Sequence, residues 1–373
     1  MLTFAMIGGG PGSFIGPVHR IAAELDGRFR LVAGAFSSSA EKSREAGQSY
    51  GIAEDRTYPS IDALIKGERD RDDPVDMIIV VTPNHVHFPA AKAALEAGFP
   101  VMCDKPMTLS LEEARELRSI AAKAGVPFGL THTYSGYPLV REMRERIAAG
   151  EIGAVRKVAV EYLQGWLSDS VEGTDNKQAT WRTDPEKSGA GGCIGDIGVH
   201  AFHLAEFVTG LKTTRLLADL DAVVPGRRLD DDCSILLRYD NGARGTLLSS
   251  QIAFGELNGL RLRVYGEKGG MDWKQEQPNT LTIHRPSGTT ETIHAGTGAL
   301  GPLAQASSRI PAGHPEGYLE AFANLYRDFA DQIGKPGTKS VVPDIEAGVR
   351  GMAFIETAVD ASKRDLGWVN LDV

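Results

Sequence analysis

Over roughly its first 130 residues the chain alternates short apolar runs with stretches of helical periodicity, a pattern that few architectures satisfy. Strands are expected at Thr3–Ile7, Phe29–Ala35, Asp76–Thr82, Pro100–Cys103 and Pro127–Thr131, with helices at Val18–Leu25, Ser60–Ile65, Pro89–Ala97 and Leu111–Ala124. Short strands separated by helices pair in parallel, so this part predicts βαβ units around a parallel sheet. From about residue 155 to 290 the runs lengthen and alternate with period 2, at Val155–Leu163, Asp232–Tyr239, Gly245–Ile252, Leu260–Tyr265 and Thr280–His284. That pattern predicts a larger, mainly antiparallel sheet with one covered face. A helical tail, His314–Ile333 and Pro343–Lys363, precedes a last strand at Trp368–Leu371, and Gly296–Gly313 is expected as the longest loop. With 373 residues there is material for two full cores, placed at 1–130 and 131–373.

The junction of the first strand and first helix reads Gly8-Gly9-Gly10-Pro11-Gly12-Ser13-Phe14-Ile15-Gly16. This is where a dinucleotide pyrophosphate rests on backbone amides and a helix N-terminus; the plain alternative is a flexible turn. Gly8 and Gly10 give the first two glycines and Gly16 the third, with Pro11-Gly12-Ser13 inserted. The end of the second strand, where an acid would hold the ribose 2′-hydroxyl of NAD, reads Ser37-Ser38-Ser39 with Lys42 and Arg44 following. Hydroxyls and nearby cations accept a 2′-phosphate, which leans the expectation towards NADP, unless Ser39 merely caps the next helix. The run Thr82-Pro83-Asn84-His85-Val86-His87 follows the third strand, and Asn84 and His87 are read either as cofactor contacts or as turn and capping residues. After the fourth strand comes Asp104-Lys105-Pro106, then a capping box Ser110-Leu111-Glu112-Glu113. Lys105 therefore sits at the carboxyl edge of the sheet, the ligand side of open α/β folds.

In the second half, Gly191-Gly192-Cys193-Ile194-Gly195-Asp196-Ile197-Gly198-Val199-His200 leads into an apolar helix. If that helix runs from Asp196, then Asp196, His200 and His203 fall on nearby faces. An aspartate four residues before a histidine orients an imidazole for proton transfer. A zinc site and an ordinary helix histidine are the other readings, and the spacing shows no further ligand, so no metal is expected. Tyr134 and Tyr137 follow the fifth strand and are candidates for a substrate pocket.

A formal net charge of -9 leaves no basic footprint for nucleic acid or an anionic membrane. Three widely spaced cysteines form no CxxC and no disulfide framework, which fits reduced cytoplasmic thiols. The apolar start has no basic flank and reads as a strand, not a signal peptide, and no run approaches the ~20 apolar residues of a membrane span.

Taken together, these motifs resemble the Gfo/Idh/MocA oxidoreductases over nearly the whole chain. The glycine loop matches at Gly8, Gly10 and Gly16, the Pro-Asn-x-x-His segment at Pro83, Asn84 and His87, and Glu-Lys-Pro at Asp104, Lys105 and Pro106. Asp-x-Gly-x-His matches at Asp196, Gly198 and His200, and a Trp-Arg pair at Trp181 and Arg182. Two departures stand out: Asp104 is one methylene shorter than the family glutamate, and the glycine loop is enlarged. The run Tyr162-Leu163-Gln164-Gly165-Trp166 looks like that of levoglucosan dehydrogenase, which points Gln164 and Trp166 at an unusual or anhydro sugar; a tryptophan covering core is the alternative.

The resemblance implies an α/β protein with an N-terminal Rossmann dinucleotide-binding domain and a C-terminal α+β domain carrying the large open sheet. It implies an NAD(P)-dependent enzyme that interconverts a secondary alcohol of a sugar, cyclitol or anhydro sugar and its ketone. Lys105, Asp196 and His200 would be catalytic. Gly8, Gly10, Phe14, Ile15, Gly16, Ser37, Ser38, Thr82, Asn84, His87, Asp104, Lys105, Trp181 and Arg182 would hold the cofactor. Lys105, Tyr134, Gln164, Trp166, Asp196 and His200 would meet the substrate. A homo-oligomer, dimer or tetramer, would form through the C-terminal sheet. The alternatives are a regulatory protein that senses dinucleotide and sugar without chemistry, and an NAD-dependent glycoside-cleaving enzyme.

Overall fold

The computed structural model describes residues 1–10, 12–171, 181–335 and 337–373. Pro11, expected in the enlarged glycine loop, lies outside the described residues. The chain forms two compact units, one of residues 1–133 with 322–349 and the other of residues 134–321 with 350–373. Residues 322–349 thus pack with the first unit although they follow most of the second in sequence.

The first unit is built on five parallel strands, β1 (Leu2–Gly8), β2 (Phe29–Ala35), β3 (Met77–Val81), β4 (Val101–Cys103) and β5 (Phe128–Leu130). Their order is β2-β1-β3-β4-β5. In β3 every residue is buried, because a parallel sheet is covered on both faces and reads as a continuous apolar run. The order reverses between β1 and β3, and the crevice beyond their carboxyl ends is where open α/β sheets take ligands. Helix α1 (Ile15–Leu25) leaves β1 through the glycine loop. The expected capping box is half realised at the helix Leu111–Ala124: the Ser110 hydroxyl accepts from Glu113 N, while Glu113 reaches one residue past the cap and accepts from the Leu109 amide at 3.0 Å.

The second unit carries a nine-stranded sheet of β6 (Val155–Leu163), β7 (Thr213–Asp221), β8 (Asp232–Tyr239), β9 (Arg244–Ser250), β10 (Gly259–Gly266), β11 (Gly270–Lys274), β12 (Thr280–His284), β13 (Thr290–His294) and β14 (Val369–Asn370). The order is β13-β12-β11-β10-β6-β9-β8-β7-β14, antiparallel except where β6 and β9 pair in parallel. Along β10, Leu260, Leu262 and Val264 are buried. Arg261 and Arg263 turn to the other face, where they pair with Asp272 and Glu161. The inner face lies under the helices Pro138–Ala148 and Val199–Thr209. No helix among the described residues is long and apolar enough to cross a membrane.

Candidate active site

In the first unit the glycines are dictated by close approach. A Cβ on Gly8, whose φ is +88°, would stand 2.6 Å from the Val81 carbonyl oxygen. On Gly10 it would stand 2.4 Å from the Phe36 carbonyl oxygen, and on Gly16 2.3 Å from Gly9 Cα. The third glycine therefore lets α1 pack against the loop, the role such a glycine has in dinucleotide folds. The loop is further tied by Ser13, whose hydroxyl accepts from Gly16 N at 3.1 Å, and by Tyr50, whose hydroxyl donates to the Gly9 carbonyl at 2.7 Å. Phe14 is 64% exposed beside this cradle, with Ile15 next to it.

At the end of β2 the Ser37 hydroxyl accepts from Ser39 N, Ser38 is exposed, and Ser39 caps its helix by accepting from Lys42 N. Capping and the absence of an acid therefore hold together. At the end of β3 the Thr82 hydroxyl is buried without a hydrogen-bond partner among the described residues, and Asn84 is buried beside it. A glycine cradle that no side chain can enter, with an orphaned hydroxyl across the crevice, fits a dinucleotide bound at this edge.

His87 has a different task from the cofactor contact expected of it. It is buried, with Nδ1 2.7 Å from the Pro106 carbonyl and Nε2 2.8 Å from the Thr82 carbonyl, so both ring nitrogens face main chain and the single N–H of the neutral ring donates to one of the two carbonyls. Burial lowers its pKa, while the Asp104 charge and both carbonyls act the other way. The ring joins the β3 loop to the β4 loop. In that second loop Asp104 Oδ1 accepts from Lys105 N at 2.9 Å and from the Thr131 hydroxyl at 2.8 Å. Burial alone would raise the Asp104 pKa, but its neighbours His19, Lys105 and His87 hold it well below the ordinary range. A permanent carboxylate thus stands beside half-buried Lys105, whose peptide bond to Pro106 is cis.

In the second unit, residues 194–198 form a π-helical turn that passes into the α-helix Val199–Thr209. The turn starts where it does because Asp230 accepts from Gly192 N at 2.6 Å and Ile194 N at 2.7 Å. The wider winding changes the spacing expected of a regular helix from Asp196. His203 consequently stacks on Phe207, and burial, with the charges of Lys212 and Arg144, lowers its pKa to about 3. Among the described residues no three His, Cys, Asp or Glu side chains are grouped to hold a metal.

Asp196 Oδ2 accepts from Arg182 Nε at 3.2 Å and from Gln251 Nε2 at 2.9 Å. Arg182, expected on the cofactor, is therefore engaged with the catalytic candidate, its guanidinium lying 4.3 Å from the Trp181 ring centre. His200 is 9% exposed, edge-on to Tyr134 at 4.9 Å between ring centres. From Tyr134 a hydrogen-bonded chain runs outward: Tyr134 and Tyr162 share a 2.5 Å contact between hydroxyls, and Tyr162 donates to Asn258 Oδ1 at 2.6 Å. Gln164 Nε2 donates to the same oxygen at 2.9 Å, and Trp166 Nε1 donates to Gln164 Oε1 at 3.0 Å. Burial first, and the Asp196 charge among the lesser causes, raise both phenol pKa values, so both hydroxyls keep their protons. Tyr137 lies in the core and accepts from Gln275 instead. Gln251 and Asn258 were invisible to motif reading, since each is an ordinary loop residue brought in by sheet pairing, and Tyr162 was read only as the first residue of the run that carries Gln164 and Trp166.

Residues 2–132 match the oxidoreductase family with an NAD-binding Rossmann fold, and residues 140–272 match the GFO/IDH/MocA C-terminal domain. The chain belongs to the Gfo/Idh/MocA oxidoreductases. Across 99% of its length this family member is 34% identical to the uncharacterized oxidoreductase YfiI of Bacillus subtilis, covering 96% of that protein. It is 38% identical, with a TM-score of 0.94, to an inositol dehydrogenase homolog of Azotobacter vinelandii complexed with NAD+, covering 99% of this chain and 97% of that one. The same homolog complexed with NADH and myo-inositol aligns at 36% identity and a TM-score of 0.92, with the same coverage. Levoglucosan dehydrogenase of Pseudarthrobacter phenanthrenivorans is 25% identical over 99% of this chain and 98% of its own. The enzyme is thus an NAD-binding oxidoreductase.

Proposed function

We propose that this oxidoreductase interconverts a secondary alcohol of a cyclitol, sugar or anhydro sugar and the corresponding ketone. The observation that carries the reading is the hydroxyl- and amide-rich wall beside His200, which matches the hydrogen-bonding needs of a polyol. The myo-inositol complex of the Azotobacter homolog supports the same substrate class.

Bound nicotinamide supplies the hydride acceptor at its C4. His200 takes the proton of the alcohol as the carbon–hydrogen bond gives up its hydride, and returns it in the reverse direction. Lys105 stabilises the charge that develops on the alcohol oxygen, held beside Asp104 in a clamped loop. Asp196, itself oriented by Arg182 and Gln251, hydrogen-bonds the substrate and offsets the imidazolium charge. Phe14, Ile15, Thr82 and Asn84 bind the cofactor, and Gln164 and Trp166 close the outer side of the substrate site. Ser37 and Ser38, with no acid at the end of β2, admit NADP at least as readily as NAD. Leu236, Leu248 and Tyr265, exposed on the outer sheet face, mark the surface through which copies of the chain associate. Three buried free thiols suit a reducing cytoplasm.

The test is a screen of myo-inositol, free sugars and levoglucosan with both cofactors, read as nicotinamide absorbance. Lys105→Met is expected to lower turnover by about 100- to 1,000-fold while NADH affinity holds. A folded variant with near-normal turnover refutes the role of Lys105. Absence of net nicotinamide reduction with every polyol points instead to the sensing or glycoside-cleaving alternatives.

A further inference from the structure

Helix α1 buries an imidazole that the mechanism does not use. His19, one turn beyond Gly16, is wholly enclosed, packed edge-on to Phe322 and Tyr326. Its Nδ1 lies 2.6 Å from the Tyr326 hydroxyl. Among the described residues its Nε2 has no hydrogen-bond partner, and it stands 3.9 Å from Asp104 Oδ1. A buried polar atom left this way is costly, and its direction is informative.

The proton positions follow from the neighbours. The Tyr326 phenol is pushed well above its usual range by burial and by the Asp104 charge, so its oxygen keeps its proton. Were Nδ1 protonated, the lone pair of Nε2 would face a carboxylate. With Tyr326 donating to Nδ1, the imidazole instead carries its hydrogen on Nε2, pointed at Asp104. The groups around that carboxylate are His19 from α1, Tyr326 from the helix Tyr318–Gly334, His87 and Thr131 from neighbouring loops, and Cys103 and Lys105 along the chain.

We propose that His19 is a positioning residue for Lys105. Held as its Nε2–H tautomer by Tyr326, it directs that hydrogen at Asp104, and Asp104 in turn holds the Lys105 main chain. The helix that begins at the glycine cradle therefore also fixes the lysine loop, so cofactor seat and lysine are set by one element. This rests on the assignment of Lys105 to the alcohol oxygen.

The test has two arms. In the first, cofactor-free protein labelled with 15N-histidine is studied by NMR, the His19 signals being identified as those missing from His19→Asn. The expected result is the Nε2–H tautomer, shifting towards Nδ1–H or exchange broadening in Tyr326→Phe. An Nδ1–H tautomer in the natural protein, or no response to Tyr326→Phe, overturns the proposal. In the second arm, oxidation of myo-inositol, or of the polyol the screen identifies, is compared between two variants. His19→Asn retains a partner for Tyr326 but withdraws the donor from Asp104, whereas His19→Gln retains a donor at the Nε2 position. His19→Asn is expected to lose about tenfold or more in kcat with KM and NADH Kd nearly unchanged, and His19→Gln to recover most of it. Equal kcat in the two folded variants overturns the proposal. If Lys105→Met keeps its turnover, the role of Lys105 fails instead, while the NMR arm still decides the tautomer.

Discussion

Gly16→Ala tests whether the glycine loop is a dinucleotide cradle or a flexible turn. The new Cβ would meet Gly9 Cα at 2.3 Å, Gly9 O at 2.9 Å and Gly9 C at 3.0 Å. All three are backbone atoms, so no flexible side chain can yield. Ordinary contact begins near 3.4 Å, and the loop must retreat by about 1 Å. Overpacking of this kind costs about 1–3 kcal/mol, partly offset by about 1 kcal/mol from the better helix propensity of alanine. The net loss of stability is then about 0–2 kcal/mol, small enough to leave a folded protein. Binding suffers more, because a 1 Å retreat forfeits at least one charge-assisted amide bond to pyrophosphate, about 1.5–3 kcal/mol, or roughly 10- to 100-fold in Kd. The assay is a fluorescence titration with NADH alongside a melting curve. Gly27→Ala is the control: it has φ +64° but no atom within 4 Å, so it should lose some stability and no affinity. A folded Gly16→Ala protein that binds NADH as tightly as the natural one refutes the cradle.

Two further outcomes are expected. Ser37→Asp should place a carboxylate against the 2′ position and shift the ratio of NADPH to NADH dissociation constants by about tenfold or more towards NADH; tight NADH binding with no measurable NADPH binding in the natural protein would sink the premise. The Asp230 carboxyl, pushed up to about 6 by burial despite its two amide donors, keeps protons in the folded state that the unfolded chain, near 3.9, has released. Stability should therefore fall as pH rises from about 4 to 6, by about 2 kcal/mol after allowance for partial exposure, and Asp230→Asn should flatten that slope; parallel melting-temperature profiles for the two proteins would contradict this.

Periodicity served well where burial is simple. Both faces of β1 and β3 are covered, so their apolar runs are unbroken, and β10 alternates because one face is open. It failed at β13, a polar edge strand with nothing to bury, and at β7, where Leu216 and Leu217 sit side by side and blur the alternation. Motif reading found Gly8, Gly10, Gly16, Lys105, Asp196 and His200, whose chemistry is unusual at those places. It could not separate Ser39 as a cap from Ser39 as a cofactor clue, nor show that His87 would face two carbonyls. A regular helix was assumed where Asp230 winds a π turn, and His203 was misplaced for that reason. His19, Gln251 and Asn258 carry no local signal, because their partners lie tens or hundreds of residues away in the chain.

The late return of residues 322–349 to the first unit bears on how the protein is made. Tyr326 meets His19 and Phe29, Asp331 pairs with Arg28 at 2.6 Å, and the Pro343 carbonyl accepts from Leu130 N at 2.7 Å. A ribosome that has released only the first 133 residues has therefore exposed a sheet whose cover is still about 190 residues from synthesis. The nascent nucleotide-binding half must wait, partly bare, while the other unit emerges, and a fragment cut at residue 133 should be stickier and more protease-sensitive than the full chain.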